Sequence, residues 1–194
     1  NKRVLMIGTD MAAGKMTVGL ELYSYLKDKH IKTGFVATGQ VGITVTGKGI
    51  PLDAYKLDHA CGAVEAAVIE QKDKDVVIVE GQGSILHPGS SATLPLMRGT
   101  CPTHMILCHI ARNDSLRSLE NIKIPDLKKF ITLNEELSSV LGTYPKSKVI
   151  GVALNTVEMS DNDAKEFIKN TEKNTGLPAT CLLYTSPSPR DLWI

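Results

Sequence analysis

The chain has 194 residues, 22 basic against 21 acidic for a formal charge of +1, and a hydrophobic fraction of 42% with only 5% aromatics. That length fits one α/β domain with a sizeable core, and the balanced charge offers no field for nucleic acid or an anionic membrane. No stretch approaches a transmembrane span and no leader pattern is evident, while four cysteines without metal-ligand spacing read as reduced thiols of a cytoplasmic protein.

The first predicted strand is Arg3–Ile7, an apolar run suited to a parallel strand buried on both faces. It breaks into Gly8-Thr-Asp-Met-Ala-Ala-Gly14-Lys15, and a helix from about Lys15 to Lys29 follows with Val18, Leu22 and Leu26 on one stripe. Gly8 and Gly14 permit a tight path that turns successive N–H groups inward, the anion nest of a phosphate loop. Lys15 opens the helix, so its ammonium and the positive end of the helix dipole converge on one phosphate. Gly8, Thr9, Asp10, Ala13, Gly14, Lys15, Met16 and Thr17 are the cofactor-binding candidates here. Two departures from Gly-x4-Gly-Lys-[Ser/Thr] stand out. Five residues separate Gly8 from Gly14, and Met16 stands where a hydroxyl would bind Mg²⁺, leaving Thr17 as the nearest one. A plain strand-to-helix turn with a solvated lysine competes with the phosphate reading of the loop alone.

The second predicted strand is Gly34–Thr38, and the glycine-rich turn after it, through Gln40 and Gly42, reads as a flexible connection. A second helix from about Leu52 to Gln71 places Asp58 and Glu65, seven residues apart, on one face with Gly62 between them. A mid-helix glycine costs about 1 kcal/mol against alanine, so close packing or ligand approach is expected at Gly62. The two carboxylates either hold a substrate ammonium or a metal, or are solvated; Asp53 interacts with the dipole at the helix start.

The third strand, Val76–Glu80, delivers Glu80 to the ligand edge of the sheet, where phosphate-loop proteins keep a metal-holding acid; a helix-capping glutamate is the alternative. Gly81 and Gly83 suggest close approach of backbone to a ligand. His87 is a proton-shuttle candidate or a structural histidine. The fourth strand, Met105–Cys108, ends at Cys108-His109, which lacks any oxyanion glycine pattern and is not read as a nucleophile. A third helix follows from about Pro125 to Leu141. The last strand, Val149–Leu154, ends in Asn155, whose amide either reads an adenine edge or caps the next turn. A final helix runs from N-cap Ser160 through Asp161–Thr175 to Gly176 and Pro178. The alternation predicts an α/β fold, a doubly wound and mostly parallel sheet in a three-layer, P-loop NTPase-like arrangement.

The phosphate loop, the Glu80-Gly81 strand end and Asn155 resemble dethiobiotin synthetase-like P-loop ATPases. A longer series extends the likeness: Gly8-Thr-Asp-x-Ala-x-Gly-Lys-Met-Thr17, Gly34-Phe-Val-Ala-Thr-Gly-Gln40, Gly49-Ile-Pro-x-Asp53, Glu80-Gly-Gln-Gly-Ser-x-x-His-Pro88 and Ala153-Leu-Asn-Thr156. Over residues 3–180 these are similar to the D-glutamate N-acetyltransferase family, long catalogued as a P-loop domain of unknown function. The resemblance implies that residues 1–180 are the nucleotide-binding, C-terminal domain of a longer protein that carries a further N-terminal domain. Residues 181–194 read as an aberrant, non-family tail. It implies an N-acyltransferase acting on a small amino acid, with ATP or acetyl-CoA as cofactor and Mg²⁺ as a further one. Lys15, Glu80 and His87 are then the catalytic candidates, and Gln40, Asp58, Glu65 and Gln82 the substrate-binding ones. Two other functions stay open. One is an ATP- and Mg²⁺-dependent ligase that activates a carboxylate, Lys15 stabilising the phosphoryl group while Thr17 and Glu80 hold the metal. The other is a nucleotide-binding module without chemistry. A small-molecule substrate and the N-terminal domain are the expected partners, and a homo-oligomer is left open.

Overall fold

The computed structural model describes residues 1–117 and 119–181. Six parallel strands form one sheet in the order β2-β3-β1-β4-β7-β8: β1 Lys2–Gly8, β2 Thr33–Val36, β3 Val76–Val79, β4 His104–Ile110, β7 Lys148–Asn155 and β8 Ala179–Cys181. A two-stranded antiparallel hairpin, β5 Ser115–Leu116 and β6 Leu119–Lys123, follows β4. The helices are α1 Lys15–Asp28, α2 Gln40–Thr46, α3 Leu57–Ile69, α4 Thr93–Thr100, α5 Leu127–Ser139 and α6 Asp161–Thr175.

Strand alternation assigns each apolar side chain to a layer. Val4 and Met6 join Phe35, Ile78, Cys108 and Ala153 on one face, against Val18 of α1. Leu5 and Ile7 point the other way with Val77, Val79, Met105, Leu107 and Leu154, against Val64, Leu96, Met97 and Phe130 of α3, α4 and α5. Helices therefore cover both faces, which is the three-layer arrangement expected for an all-parallel sheet. Among the described residues, no helix is long and apolar enough to cross a membrane.

Several boundaries differ from the sequence expectations for local reasons. The single helix expected over Leu52–Gln71 is a 3-10 turn at Leu52–Ala54 followed by α3, because Lys56 adopts an extended conformation between them. The turn after β2, expected to be a flexible connection, folds into α2. Helix α4 carries Pro95 in its first turn, where the missing N–H costs no helical bond. Gly62 is exposed, with open space where a Cβ would stand, so the expected close approach there does not occur. The close approach is made instead by Gly99 of α4, where a Cβ would lie 2.4 Å from the Cys61 carbonyl oxygen and 2.6 Å from Val64 Cβ. The caps of α6 are as expected: Ser160 Oγ accepts from the Asp163 N–H and Gly176 takes the left-handed conformation. Of the stretch read as a tail, Cys181 completes β8; residues 182–194 lie outside the described residues.

Candidate phosphate-binding site

The carboxyl ends of β1, β2 and β3 meet at one edge of the sheet, and the loops leaving them build the site. After β1 the backbone turns through Ala12 and Gly14, both at positive φ (53° and 98°). Gly14 then stands at the N-cap of α1 with no side chain capping the first turn. Successive N–H groups in such a path point into one concavity.

Lys15 lies across this loop, only 6% exposed, and its Nζ donates to the Asp10 carbonyl oxygen at 2.8 Å. Burial lowers its pKa below the ordinary lysine value, opposed by the charges of Cys108, Asp10 and Glu80. Cys108 contributes to that opposition only as a thiolate, whereas burial pushes its own pKa up to about 12. The support for the ammonium therefore comes from the Asp10 and Glu80 carboxylates. The same shift leaves the Cys108 thiol without the activation a nucleophile needs.

The loop itself is pinned by its neighbours. Asp10 accepts from the Met11 N–H at 2.6 Å through Oδ1 and from the Arg117 N–H at 2.9 Å through Oδ2, which ties the β5–β6 hairpin to the phosphate loop. Thr9 Oγ1 pairs with His109 Nδ1 at 2.9 Å, and Ser84 Oγ donates to the Thr9 carbonyl oxygen at 2.9 Å. His109 stays neutral at pH 7, because burial lowers its pKa to about 4. Two glycines bring the backbone close to Lys15. A Cβ on Gly8 would sit 2.9 Å from Nζ, and one on Gly81 would sit 1.8 Å from the Met6 carbonyl oxygen and 2.8 Å from Lys15 Cδ.

Glu80 stands one residue beyond β3, only 4% exposed. Its Oε2 accepts from the N–H groups of Thr38, at 2.8 Å, and Gly39, at 3.1 Å, at the head of α2. The helix-capping role left open in the sequence is thus present, and it accounts for α2 in a segment of weak helix formers. Gly42 is obligatory here, since its Cβ would come within 2.3 Å of that same oxygen. Gln82 Nε2 reaches Thr38 Oγ1 at 3.3 Å, and Gln40 Nε2 donates to Asp53 Oδ2 at 2.8 Å. The structure therefore brings Lys15, Glu80, Gln82 and Gln40 to neighbouring strand ends.

Other candidates lie elsewhere or are otherwise engaged. Asp58 and Glu65 are exposed on α3, and neither lines the pocket beside the phosphate loop. His87 Nδ1 accepts from the Gly89 N–H at 3.1 Å, so the neutral ring carries its proton on Nε2 and offers a donor. Asn155 Oδ1 accepts from the Val157 N–H at 3.2 Å, capping the turn after β7. Met16 is half-buried and Thr17 exposed in the first turn of α1. Among the described residues no three His, Cys, Asp or Glu side chains group to hold a metal by themselves. Mg²⁺ on a nucleotide needs only one or two protein oxygens beside the phosphates, and Glu80 Oε1 and the Thr17 hydroxyl are the oxygens here that could supply them. The contacts that the sequence did not expose are those of Asp53, His109 and Arg117. No local spacing announces them, because each partner is far off in the chain or belongs to the main chain.

A parallel sheet, a glycine-bounded loop after its first strand and a buried lysine opening the next helix define a P-loop NTPase-like domain. The chain belongs to the family described as a domain of unknown function, the DUF1611 P-loop domain, which its residues 1–190 match. It is 34% identical over 179 residues to a protein of Tritonibacter scottomollicae named D-glutamate N-acetyltransferase, matching 92% of this chain and 53% of that one. The chain thus spans about half the length of such relatives. A DUF1611 family protein from Anabaena variabilis superposes with a TM-score of 0.90 at 45% identity, covering 92% of this chain and 52% of that one. Cobyrinic acid a,c-diamide synthase from Mycobacterium smegmatis, solved with an ATP analogue and magnesium, shares the fold at a TM-score of 0.60 and 13% identity, over 92% and 84% of the two chains.

Proposed function

We propose that this domain holds the diphosphate of acetyl-CoA in its phosphate loop, as the P-loop half of an enzyme that acetylates the amine of D-glutamate or a similar amino acid. The observation that carries the reading is Lys15, buried at the head of an uncapped helix and bonded to the Asp10 carbonyl. A diphosphate there would take over the ammonium and the first-turn N–H groups without needing hydrolysis. Met16, in place of the usual hydroxyl, suits phosphate that is held more than phosphate that is transferred. The name carried by the Tritonibacter relative supplies the reaction class.

In that reaction the amine nitrogen forms a C–N bond to the acyl carbon while the thioester C–S bond breaks. Of the ammonium's three protons, one stays on the amide, one leaves on the thiol and one is released. Glu80 Oε1 is the candidate acceptor for a proton at this strand end, and His87 Nε2–H a candidate donor. Acetyl-CoA supplies the activated acyl group; the residues here bind, orient and move protons. Calorimetric titration with acetyl-CoA and with ATP, each with Mg²⁺ and with chelator, tests the reading. Acetyl-CoA binding that is indifferent to chelator supports it. Binding of Mg·ATP alone overturns it in favour of the carboxylate-activating ligase.

A further inference from the structure

We infer that the pocket beside the phosphate loop is a subsite for a primary ammonium group, anchored by Asp53; the inference rests on the amine-acetylating reading above. The pocket has a volume of about 330 Å³, inside the range of about 300–1,000 Å³ typical of small-molecule sites. Its walls come from all three loops of the site: Met11 from the phosphate loop, Asp53 and Tyr55 from the segment after β2, and Gln82, Ser90 and Ser91 from the segment after β3.

Among the described residues, Asp53 is the single charged side chain lining this pocket. It is not solvated at random. Gln40, the first residue of α2, donates its amide to Asp53 Oδ2 at 2.8 Å. The Leu52 N–H donates to the Thr38 carbonyl oxygen at 3.2 Å, fixing the 3-10 turn that carries Asp53 against the end of β2. One carboxylate oxygen is thereby oriented by Gln40, while among the described residues none donates to Oδ1. The neutral acceptors and donors of Gln82, Ser90 and Ser91 complete a wall that is polar without being cationic. Such a lining discriminates by charge: it favours the ammonium end of an amino acid and repels a carboxylate. The position also suits the chemistry, since Met11 and Gln82 make the pocket contiguous with the loop that would hold the acyl donor.

Titration of the chain with D-glutamate, with glutarate (the same skeleton without its amine) and with acetyl-CoA tests the subsite, using wild type, Asp53→Asn and Gln40→Ala. Backbone amide shifts of residues 52–55 and 82–91 report the location. The expected result is at least tenfold tighter binding of D-glutamate than of glutarate by wild type, with shifts in those residues. Asp53→Asn should remove that preference by weakening D-glutamate at least tenfold, Gln40→Ala should weaken it less, and acetyl-CoA affinity should stay within twofold throughout. Equal affinity of Asp53→Asn and wild type for D-glutamate overturns the inference, and so does a wild type that binds acetyl-CoA yet ignores the amine. A wild type that binds D-glutamate through Asp53 but not acetyl-CoA would sink the acetylation reading and leave the ammonium subsite standing.

Discussion

Removing the Glu80 carboxylate should unseat α2, and the cost can be worked from two hydrogen bonds. Oε2 accepts from the Thr38 N–H at 2.8 Å and from the Gly39 N–H at 3.1 Å, and Thr38 is almost wholly buried. Glu80→Ala leaves both donors without an acceptor, at about 1–3 kcal/mol for a fully buried group. Because Gly39 is only half-buried and regains some water, the total should be about 2–4 kcal/mol. For a chain of this length 1 kcal/mol moves Tm by about 2–4 °C, so the fall should be roughly 4–16 °C. Glu80→Gln keeps an oxygen in place and loses the charge-assisted part, about 1 kcal/mol. Thermal and urea denaturation of the three proteins measures both steps. Glu80→Ala melting within 2 °C of wild type would refute the anchoring of α2. The same variants separate the roles at the ligand. If Oε1 holds Mg²⁺, Glu80→Gln weakens Mg²⁺-dependent nucleotide binding; if it accepts the amine proton, turnover falls at unchanged affinity.

Two glycine substitutions should have opposite signs. Gly81→Ala drives a Cβ into the Met6 carbonyl and should cost about 3 kcal/mol or more, whereas Gly62→Ala fills open space on exposed α3 and should stabilise by about 0.5–1 kcal/mol; melting curves decide both. His109 makes stability fall in acid. Its pKa drops from 6.5 to about 4 on burial, so the unfolded chain binds more protons between those values. The neutral ring's contribution is complete above pH 6.5 and is lost as pH falls through 4. About 2.5 kcal/mol of it should be gone by pH 4.5. Unfolding free energies from urea titrations at pH 7 and 4.5 should differ less in His109→Asn than in wild type by that amount, and an equal difference would show that His109 is not the group responsible.

The layers of this fold are written in single segments of sequence. The Val4–Ile7 run, the four β-branched residues of Val76–Val79 and the Ser160–Gly176 bracket each carry enough local pattern to name a strand or helix. The phosphate loop was legible for the same reason, since its glycines, lysine and following helix are contiguous. What escaped was held together across the chain. Helix α2 depends on Glu80, which lies beyond it and beyond α3. Strand β8 has three residues and is a strand only because β7 offers an edge. Gly62 invited a packing explanation that belongs to Gly99 on the facing helix, because a helix–helix contact has two sides and the sequence does not say which carries the small residue. Asp53 looked like a dipole partner until Gln40 and the pocket stood beside it.

The most direct test of the phosphate loop is the thermal stabilisation of wild type and Lys15→Met by acetyl-CoA and by ATP. Lys15→Met keeps the packing volume but leaves the buried Asp10 and Glu80 carboxylates without their cation, so the unliganded variant should melt below wild type, and each ligand-induced rise is read from that protein's own baseline. A ligand at 100 times its Kd adds about 2.7 kcal/mol, a rise of roughly 5–11 °C for this length. That rise in wild type, absent in Lys15→Met, is the predicted result. Equal stabilisation of the two proteins, or none in wild type by either ligand, would contradict a phosphate site at this loop.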